Sequence, residues 1–446
     1  MASPAPATIP EDILVEIFIR LPTPDALACT AAACTSFRRL IKALAFRRRF
    51  RALHRPPLLG FMDAAGFHPA EAPHPSAPLA GALAPYAEDF SFVPPVLSSA
   101  SYLSVWPGSD DLPRWRPCDA RDGRVLLDWV SLQPRFVRVW GDPGHAVSVL
   151  MDCNEIAVQH PGDSSWIKRE YCNAADFHFA ICDPLSRRYD VLPTIPEDFA
   201  ARPGERLLEF VPMLAPTATD DRQDESLNLK VIFIARYETK IALFVFLATT
   251  RQWSMATFSI MAPLGALSCF DCVRGCFYWR NTSGWSDYLL VLDTHAMRFS
   301  TVNLLTGYHV PLTDMPDQRT ARRRPSAVVA GRERGIDMFT LVGQGSSCTL
   351  HHTSLQNGSQ EWKLERIIPL PNQYQDYSIS TVGAAEGFLF FQGAPGGINS
   401  ENVDCYSLEV KTYEITKVCS KMENFLNRKH ALPYFSFPPL LSEPSL

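Results

Sequence analysis

The sequence lacks a long apolar run, and this absence excludes a helical membrane span. Its longest dense apolar run, Ile241–Ala248, has the length of a buried strand, whereas a spanning helix needs roughly 18 residues or more. No basic segment precedes the first apolar stretch, which Glu11, Asp12 and Glu16 interrupt, so we expect no secretory signal. The 12 cysteines are therefore interpreted as reduced thiols of the cytoplasm or nucleus.

Signatures of catalysis are also missing. The sequence contains no G-x-S-x-G elbow, no H-E-x-x-H motif and no P-loop, and Gly343–Ser347 predicts a hairpin turn. Cys269, Cys272 and Cys276 lie close together, but no second Cys or His pair follows at zinc-finger spacing, so we expect structural thiols. The His351-His352 pair would point in opposite directions on a strand, which favours a solvated strand end. We predict no catalytic residue, no metal site and no cofactor.

Acidic residues are absent between Ala26 and Met62, although the formal net charge of the chain is −5. The net charge argues against a nucleic-acid-binding role for the whole protein. The basic tract is either a solvated helix face with its linker, or a surface for an acidic partner or a nuclear import signal. Its basic residues are Arg38, Arg39, Lys42, Arg47, Arg48, Arg49, Arg51 and Arg55.

The first 55 residues have helical patterning. Pro10 suits the first turn of a helix, Leu21-Pro22 ends that helix, and Pro24 opens a second, alanine-rich one. Thr35 or Ser36 is the predicted N-cap of a third helix. Three short helices form a module that is marginally stable alone, so its apolar face requires a neighbour or a partner. The apolar face of the first helix comprises Ile13, Leu14, Ile17, Phe18 and Leu21, and that of the third comprises Phe37, Leu40, Ile41 and Leu44.

The rest of the chain has the residue pattern of a β protein. Residues 63–95 are rich in Ala and Pro and predict an irregular connection, and from residue 96 short apolar and aromatic runs alternate with turn residues. A repeat of apolar strand, polar turn and aromatic residue recurs roughly every 50–60 residues, as in four-stranded propeller blades. Unrelated hairpins in a sandwich are the alternative. The aromatic positions are Tyr189, Trp253, Phe299, Trp362 and Tyr413.

The N-terminal helices carry a motif as well. Ile9–Pro22 contains Ile-Pro-Glu-Asp-Ile-Leu, then Glu-Ile-Phe and Leu-Pro, and it resembles the opening of the F-box. Ala33 and Phe37 replace the larger Val and Trp of the family pattern, which removes contact area. Cys182–Tyr189 resembles a repeat in the propeller-like domain of many plant F-box proteins. Further F-box positions at Leu27, Cys34, Phe37-Arg38, Leu40-Ile41 and Phe46 extend the resemblance over residues 9–50.

The patterns and the resemblance together predict a mainly β protein with a small N-terminal all-α module. We expect a three-helix F-box at residues 9–50 and a connector at residues 51–95. A six- or seven-bladed, kelch-like β-propeller then occupies residues 96–437.

The resemblance implies a non-catalytic subunit of a ubiquitin ligase. F-box helices bind a Skp-type adaptor, which bridges to cullin and RING subunits, while the propeller holds a protein substrate and raises its effective concentration at the ligase. No nucleic-acid or membrane partner is expected. The alternatives are a ligand- or carbohydrate-binding propeller with a degenerate F-box, and an enzyme on a propeller scaffold.

The expected interaction residues fall in two groups. Substrate-binding loops are sought at Thr217–Ser226, Asn281–Asp287 and Gly393–Asn402, because binding residues concentrate on loops. For Ile17, packing inside the module is an alternative to an exposed role. The predicted adaptor contacts are Ile9, Pro10, Ile13, Leu14, Ile17, Leu21, Pro22, Leu27, Cys34 and Phe37.

Overall fold

The computed structural model describes most of the chain, with gaps in the longer loops. Within the described residues no helix combines the length and apolarity that a bilayer crossing requires. The described residues are 9–63, 66–87, 90–94, 114–130, 137–140, 146–149, 151–152, 155–156, 166–167, 177–196, 207–216, 229–237, 239–259, 267, 270–280, 288–308, 326–331, 335–344, 347–355, 361–370, 379–394, 402–422 and 431–438.

Four short helices form the N-terminal helical module. They are α1 (Glu11–Phe18), α2 (Pro24–Ala33), α3 (Thr35–Lys42) and α4 (Leu44–Leu53). The first three were predicted, whereas α4 corrects the expectation of a three-helix module. Thr23 caps α2 with its side chain and Cys34 caps α3 in the same way.

The module has its own apolar core. Ile41 and Phe50 are fully buried, and Phe46 lies one helical turn before Phe50 on the same face of α4. This pair explains why α4 packs in the module despite its arginines: its phenylalanines cover the other helices, while Arg49 is exposed. The core consists of Phe18, Ile19, Leu27, Ala31, Ile41, Phe46, Phe50 and Phe437.

Five four-stranded antiparallel sheets and one three-stranded sheet form a six-bladed propeller. This confirms the predicted architecture and sets the blade number at six. Blade 1 contains β3 (Arg114–Arg121), β4 (Arg124–Val130), β10 (Phe179–Asp183) and β11 (Arg188–Val191). Blade 2 contains β12 (Leu207–Leu214), β13 (Lys230–Tyr237), β14 (Lys240–Leu247) and β15 (Gln252–Ser259). Blade 3 contains β16 (Phe270–Val273), β17 (Cys276–Arg280), β18 (Tyr288–Asp293) and β19 (Arg298–Asn303).

Blades 4 and 5 repeat the pattern, and blade 6 closes the ring. Blade 4 contains β20 (Ser326–Ala330), β21 (Ile336–Gln344), β22 (Ser347–Leu355) and β23 (Trp362–Pro369). Blade 5 contains β24 (Ile379–Ala385), β25 (Phe388–Gly393), β26 (Asn402–Glu409) and β27 (Ile415–Met422). Blade 6 contains β28 (Leu432–Phe435), β1 (Leu58–Asp63) and β2 (Gly66–Pro69). Short strands lie between β4 and β10: β5 (Val137–Trp140), β6 (Ala146–Val149), β7 (Met151–Asp152), β8 (Glu155–Ile156) and β9 (Trp166–Ile167).

Blade 6 joins the two ends of the described chain. β1 pairs antiparallel with β28, from Leu58 opposite Phe435 to Met62 opposite Leu432. β1 therefore belongs to the propeller, which corrects the expectation that residues 51–95 are a connector. A fifth helix, α5 (Ala77–Ala87), also corrects the expected irregular structure there.

The predicted repeat is confirmed at four of its hairpins. β10–β11, β14–β15, β18–β19 and β26–β27 each form the outer pair of a blade. Tight turns precede the second strands of blades 1, 3 and 5, and Asp122 and Gly123 both have positive φ, as a two-residue hairpin turn requires.

Candidate protein-interaction site

Three isoleucines form an exposed stripe along α1. Pro10 caps the helix with extended backbone, and its carbonyl accepts a hydrogen bond from the Leu14 amide at 3.1 Å. Ile9, Ile13 and Ile17 follow one another at intervals of four residues and are 55%, 48% and 48% exposed. Ile13 and Ile17 share a face of α1, and Ile9 directly precedes the N-cap residue Pro10. The three exposed isoleucines are here called the isoleucine stripe.

The stripe is not needed for the internal packing of the module. Phe18 and Ile19 turn to the other side of α1, are 5% and 2% exposed, and pack in the core of the module. The Phe37 ring meets the Phe18 ring edge-on at 4.9 Å. Because the core is filled without the stripe, the stripe remains apolar surface in contact with water. Contiguous apolar surface of this kind marks protein-interaction sites.

Charged residues border the stripe. Glu16 pairs with Arg49 of α4 at 2.6 Å and with Arg20 at 3.0 Å, and Arg39 of α3 reaches Glu11 at 2.8 Å. The hydrogen bond from Arg49 is the main reason that the pKa of Glu16 lies below its ordinary value. These pairs hold α1 against α3 and α4 at the surface, and a shallow groove between them is lined partly by Ile13, Ile17, Arg20 and Arg49.

The ten predicted contact residues divide by burial. Leu27 is fully buried in the core of the module. Leu14, Leu21 and Phe37 are half-buried and pack against that core. The Ile17 side chain is exposed, which decides against its alternative role in internal packing. Exposed predicted residues are Ile9, Pro10, Ile13, Ile17, Pro22 and Cys34.

The segment after the last propeller strand packs in the core of the helical module. Phe437 follows β28 and packs edge-on against Phe50, with ring centroids 6.1 Å apart. The Arg55 guanidinium donates to the Glu386 carbonyl at 3.2 Å, in the turn between β24 and β25. The Ser436 amide donates to the Pro57 carbonyl. Sequence reasoning missed this junction, because no local pattern relates residue 437 to residue 50.

Buried acidic side chains in the propeller join neighbouring blades. Asp119 accepts from the Leu214 amide at 2.8 Å, and Asp271 accepts from the Val328 and Ala384 amides at 2.8 and 3.0 Å. Burial raises the pKa of Asp119. Because both carboxylates accept hydrogen bonds from backbone amides of other blades, their role is structural.

The paired histidines also have structural partners. His352 contacts Asp337 at 3.0 Å and the Tyr413 hydroxyl at 2.9 Å, while His351 contacts the Tyr308 hydroxyl at 3.0 Å. The two rings therefore point in opposite directions, as predicted. Both are buried, however, so the expected solvated strand end is wrong.

The cysteine cluster is divided between two paired strands. Cys272 lies on β16 and Cys276 on β17, whereas Cys269 lies outside the described residues. Burial raises the pKa of Cys272 to about 11 and also raises that of Cys276, so both are protonated, weakly reactive thiols at neutral pH. Among the described residues no group of three His, Cys, Asp or Glu side chains is arranged to hold a metal ion. The loops at 217–226, 281–287 and 395–401 also lie outside the described residues.

Comparison with known proteins identifies the helical module. Residues 8–49 match the family model described as F-box domain. The chain thus carries an F-box domain followed by a six-bladed propeller. A search by sequence among curated proteins finds no match.

Comparison with solved structures gives matches of low identity and low structural similarity. The NanB sialidase of Streptococcus pneumoniae aligns over 68% of this chain with 8% identity and a TM-score of 0.31, and the chain spans 55% of that protein's length. An ulvan lyase aligns over 74% of this chain and 83% of its own, with 8% identity and a TM-score of 0.31. A glycosyl hydrolase from Bacteroides ovatus aligns over 72% of this chain and 85% of its own, with 10% identity and a TM-score of 0.26. Likeness at this level bears on neither activity nor ligand.

Proposed function

We propose that the protein is a substrate-recruiting subunit of a Skp–cullin–F-box ubiquitin ligase. In this role the F-box domain binds a Skp-type adaptor, which bridges to cullin and RING subunits, and the propeller binds a protein substrate. The protein itself is non-catalytic and acts by proximity, in the cytoplasm or nucleus. The resemblance to plant F-box proteins with a propeller-like domain supports this combination.

One observation carries the proposal: the isoleucine stripe is exposed while the rest of the F-box domain has a filled core. Ile13 and Ile17 are about half exposed on a rigid helix, a geometry suited to insertion into an apolar surface of a partner. The junction of Phe437 with Phe50 supports the second half of the role, because it holds the propeller against the adaptor-binding module.

Co-expression with a Skp-type adaptor tests the proposal. We expect the native chain to retain the adaptor in a pull-down and Ile13→Asp with Ile17→Asp to lose it. A carboxylate in the stripe would be desolvated on binding without a partner, which costs several kcal/mol. Far-UV circular dichroism checks that the variant folds.

Ile367→Asp is the matched control. Ile367 is 49% exposed on β23, the outermost strand of blade 4, and belongs to no helix of the F-box domain, so its substitution should leave adaptor binding unchanged. A native chain that fails to retain the adaptor contradicts the proposal and leaves a ligand-binding propeller with a degenerate F-box as the explanation.

A further inference from the structure

The outermost strand of blade 2 has an open edge. β15 pairs with β14 along eight consecutive positions, from Lys240 opposite Ser259 to Leu247 opposite Gln252, with no register shift. Among the residues that the structure describes, no second strand pairs with the other edge of β15. Ser254, Met255, Ala256 and Thr257 are exposed. About half of the eight residues therefore direct their backbone N–H and C=O groups outward.

Other outer strands carry the features that normally prevent edge pairing. β11 has only four residues, and Arg251 pairs with its Asp190 at 2.9 Å. β19 has six residues and begins with Arg298. β23 carries Lys363, Glu365 and Arg366, β27 carries Lys417, and both β23 and β27 are bulged.

β15 has none of these features. Its sequence, Gln-Trp-Ser-Met-Ala-Thr-Phe-Ser, contains no charged residue, proline or glycine. Natural proteins protect edges because an open, uncharged edge recruits another strand. A long edge left without charge or bulge therefore favours a strand-pairing role.

The side chains along β15 define what would fit beside it. Trp253 and Met255 lie opposite Phe246 and Phe244, so both project from the face of the blade that packs toward blade 1. The Trp253 ring is held by Phe233 and Phe246, with centroids 5.2 and 5.1 Å away. Met255 is 41% exposed and adaptable in shape. Ser254 and Ala256 occupy the opposite face with small side chains.

We propose that β15 is a docking edge for an extended, uncharged segment of the protein substrate, which adds to blade 2 as a fifth strand. The proposal rests on the proposed function and names the form in which the substrate is recognised. Backbone hydrogen bonds supply affinity, and alternate side chains of the segment lie beside Trp253 and Met255, where apolar residues are favoured. Charged residues are disfavoured there because β15 offers no opposite charge.

A second copy of the chain is a weaker candidate for the same edge. Two eight-residue strands that pair edge to edge cover little surface beside the roughly 1,200–2,000 Å² of a standard stable interface. A flexible segment of another protein does not need a large rigid interface, because its backbone can align with the edge alone.

Selection from a phage-displayed library of random uncharged ten-residue peptides tests the proposal on the intact protein. We expect selected peptides to bind with an affinity that falls at least tenfold in a variant with Met255→Lys and Ala256→Lys. Methylation of alternate backbone nitrogens in a selected peptide should cause a comparable loss, because it removes strand hydrogen bonds without changing side chains. Ser300→Lys with Thr301→Lys, at exposed positions of β19, is the matched control and should leave binding unchanged.

The docking edge would be overturned if the selected peptides bound the variant with Met255→Lys and Ala256→Lys as tightly as the native chain. It would also be overturned if backbone methylation of a selected peptide left its affinity unchanged, or if the library yielded no peptide whose binding depends on β15. Self-association that the β15 lysines abolish would assign the edge to a second copy instead. Adaptor binding is measured on the same variants. If adaptor binding fails while peptide binding depends on β15, the ligase role is wrong and the docking edge stands.

Discussion

At the scale of single residues, a cluster of three charged or titratable side chains is buried between two blades of the propeller, where the side chains are paired with one another. Lys421 of β27 has a fully buried side chain and donates to Asp63 of β1 at 3.1 Å, and His68 of β2 lies 3.0 Å from the other oxygen of Asp63. Burial raises the pKa of Asp63, but the hydrogen bonds and charges of His68 and Lys421 outweigh it, so this pKa lies well below its ordinary value. The cluster thus joins blade 5 to the closing blade.

Removal of Lys421 should be strongly destabilising. Lys421→Met leaves the Asp63 carboxylate buried without its ammonium partner, and we expect the free energy of unfolding to fall by about 3–5 kcal/mol in urea denaturation. Lys421→Met combined with Asp63→Leu should recover part of that loss. A single variant as stable as the native chain would show that the ion pair contributes nothing to ring closure.

The same cluster makes the free energy of unfolding depend on pH in the acid range. Because the folded pKa of Asp63 is depressed, its contribution is complete above the unfolded pKa of about 4 and is lost as the pH falls below that value. We expect the native chain to lose stability below about pH 4 more steeply than the variant with both Lys421→Met and Asp63→Leu. Denaturation at a series of pH values measures the difference, and parallel curves would contradict the assignment.

At the scale of helices and strands, the junction between F-box and propeller depends on one aromatic residue. Phe437 is 8% exposed and belongs to the core of the helical module although it follows the last propeller strand. Phe437→Ala should destabilise the module by roughly 3 kcal/mol, since it opens a cavity beside Phe50. Trypsin reports the effect directly, because the arginines of α4 become cleavable when α4 unfolds.

Leu305→Ala is the control for that experiment. Leu305 is 55% exposed, so its truncation should change neither tryptic cleavage of α4 nor the melting temperature. Equal protection of α4 in Phe437→Ala and Leu305→Ala would show that the module folds independently of the C-terminal segment.

Individual elements also show what the sequence could and could not predict. The α1–α3 pattern and the outer hairpins of the blades were predictable, because periodicity and turn residues are local signals. α5 was not, since its prolines suggested a loop. Pro78 lies in its first turn, where a missing N–H costs little. Pro85 lies inside the helix and removes a hydrogen bond, and the tertiary packing of buried Ala80, Leu83 and Ala87 offsets that cost. The burial of these apolar side chains outweighs the low helix propensity of the segment.

The closing strand was unpredictable for a different reason. β1 and β28 pair across almost the whole length of the chain, and nothing in Leu58–Asp63 specifies Leu432–Phe435 as its partner. The resemblance located the F-box domain but could not assign burial within it: Ile13 and Leu27 are both apolar helix residues, yet only Ile13 faces solvent. That distinction depends on how α1–α4 pack together.

At the scale of the whole molecule, carboxylates on the innermost strands join successive blades. Asp271 of β16 accepts amide hydrogens from both β20 and β24. Asp271→Ala would leave the buried Val328 amide and the partly buried Ala384 amide without an acceptor, and we expect a loss of roughly 2–4 kcal/mol, while Asp271→Asn, which keeps one oxygen, should lose less.

Thermal and urea unfolding of the two Asp271 variants measure this effect. Asp12→Ala, which removes an exposed acid from α1, is the control and should be nearly neutral. An Asp271→Ala protein with native stability would show that the Asp271 hydrogen bonds contribute nothing to holding blades 3, 4 and 5 together.

The proposed role requires the isoleucine stripe to bind an adaptor while the attached propeller presents a substrate. Isothermal titration of the intact protein with a purified Skp-type adaptor measures that binding. We predict saturable binding with a negative heat-capacity change from apolar burial, an affinity that falls at least 30-fold on Ile17→Asp, and no change on Ile367→Asp. No binding by the native chain, or equal affinities for Ile17→Asp and Ile367→Asp, would contradict it.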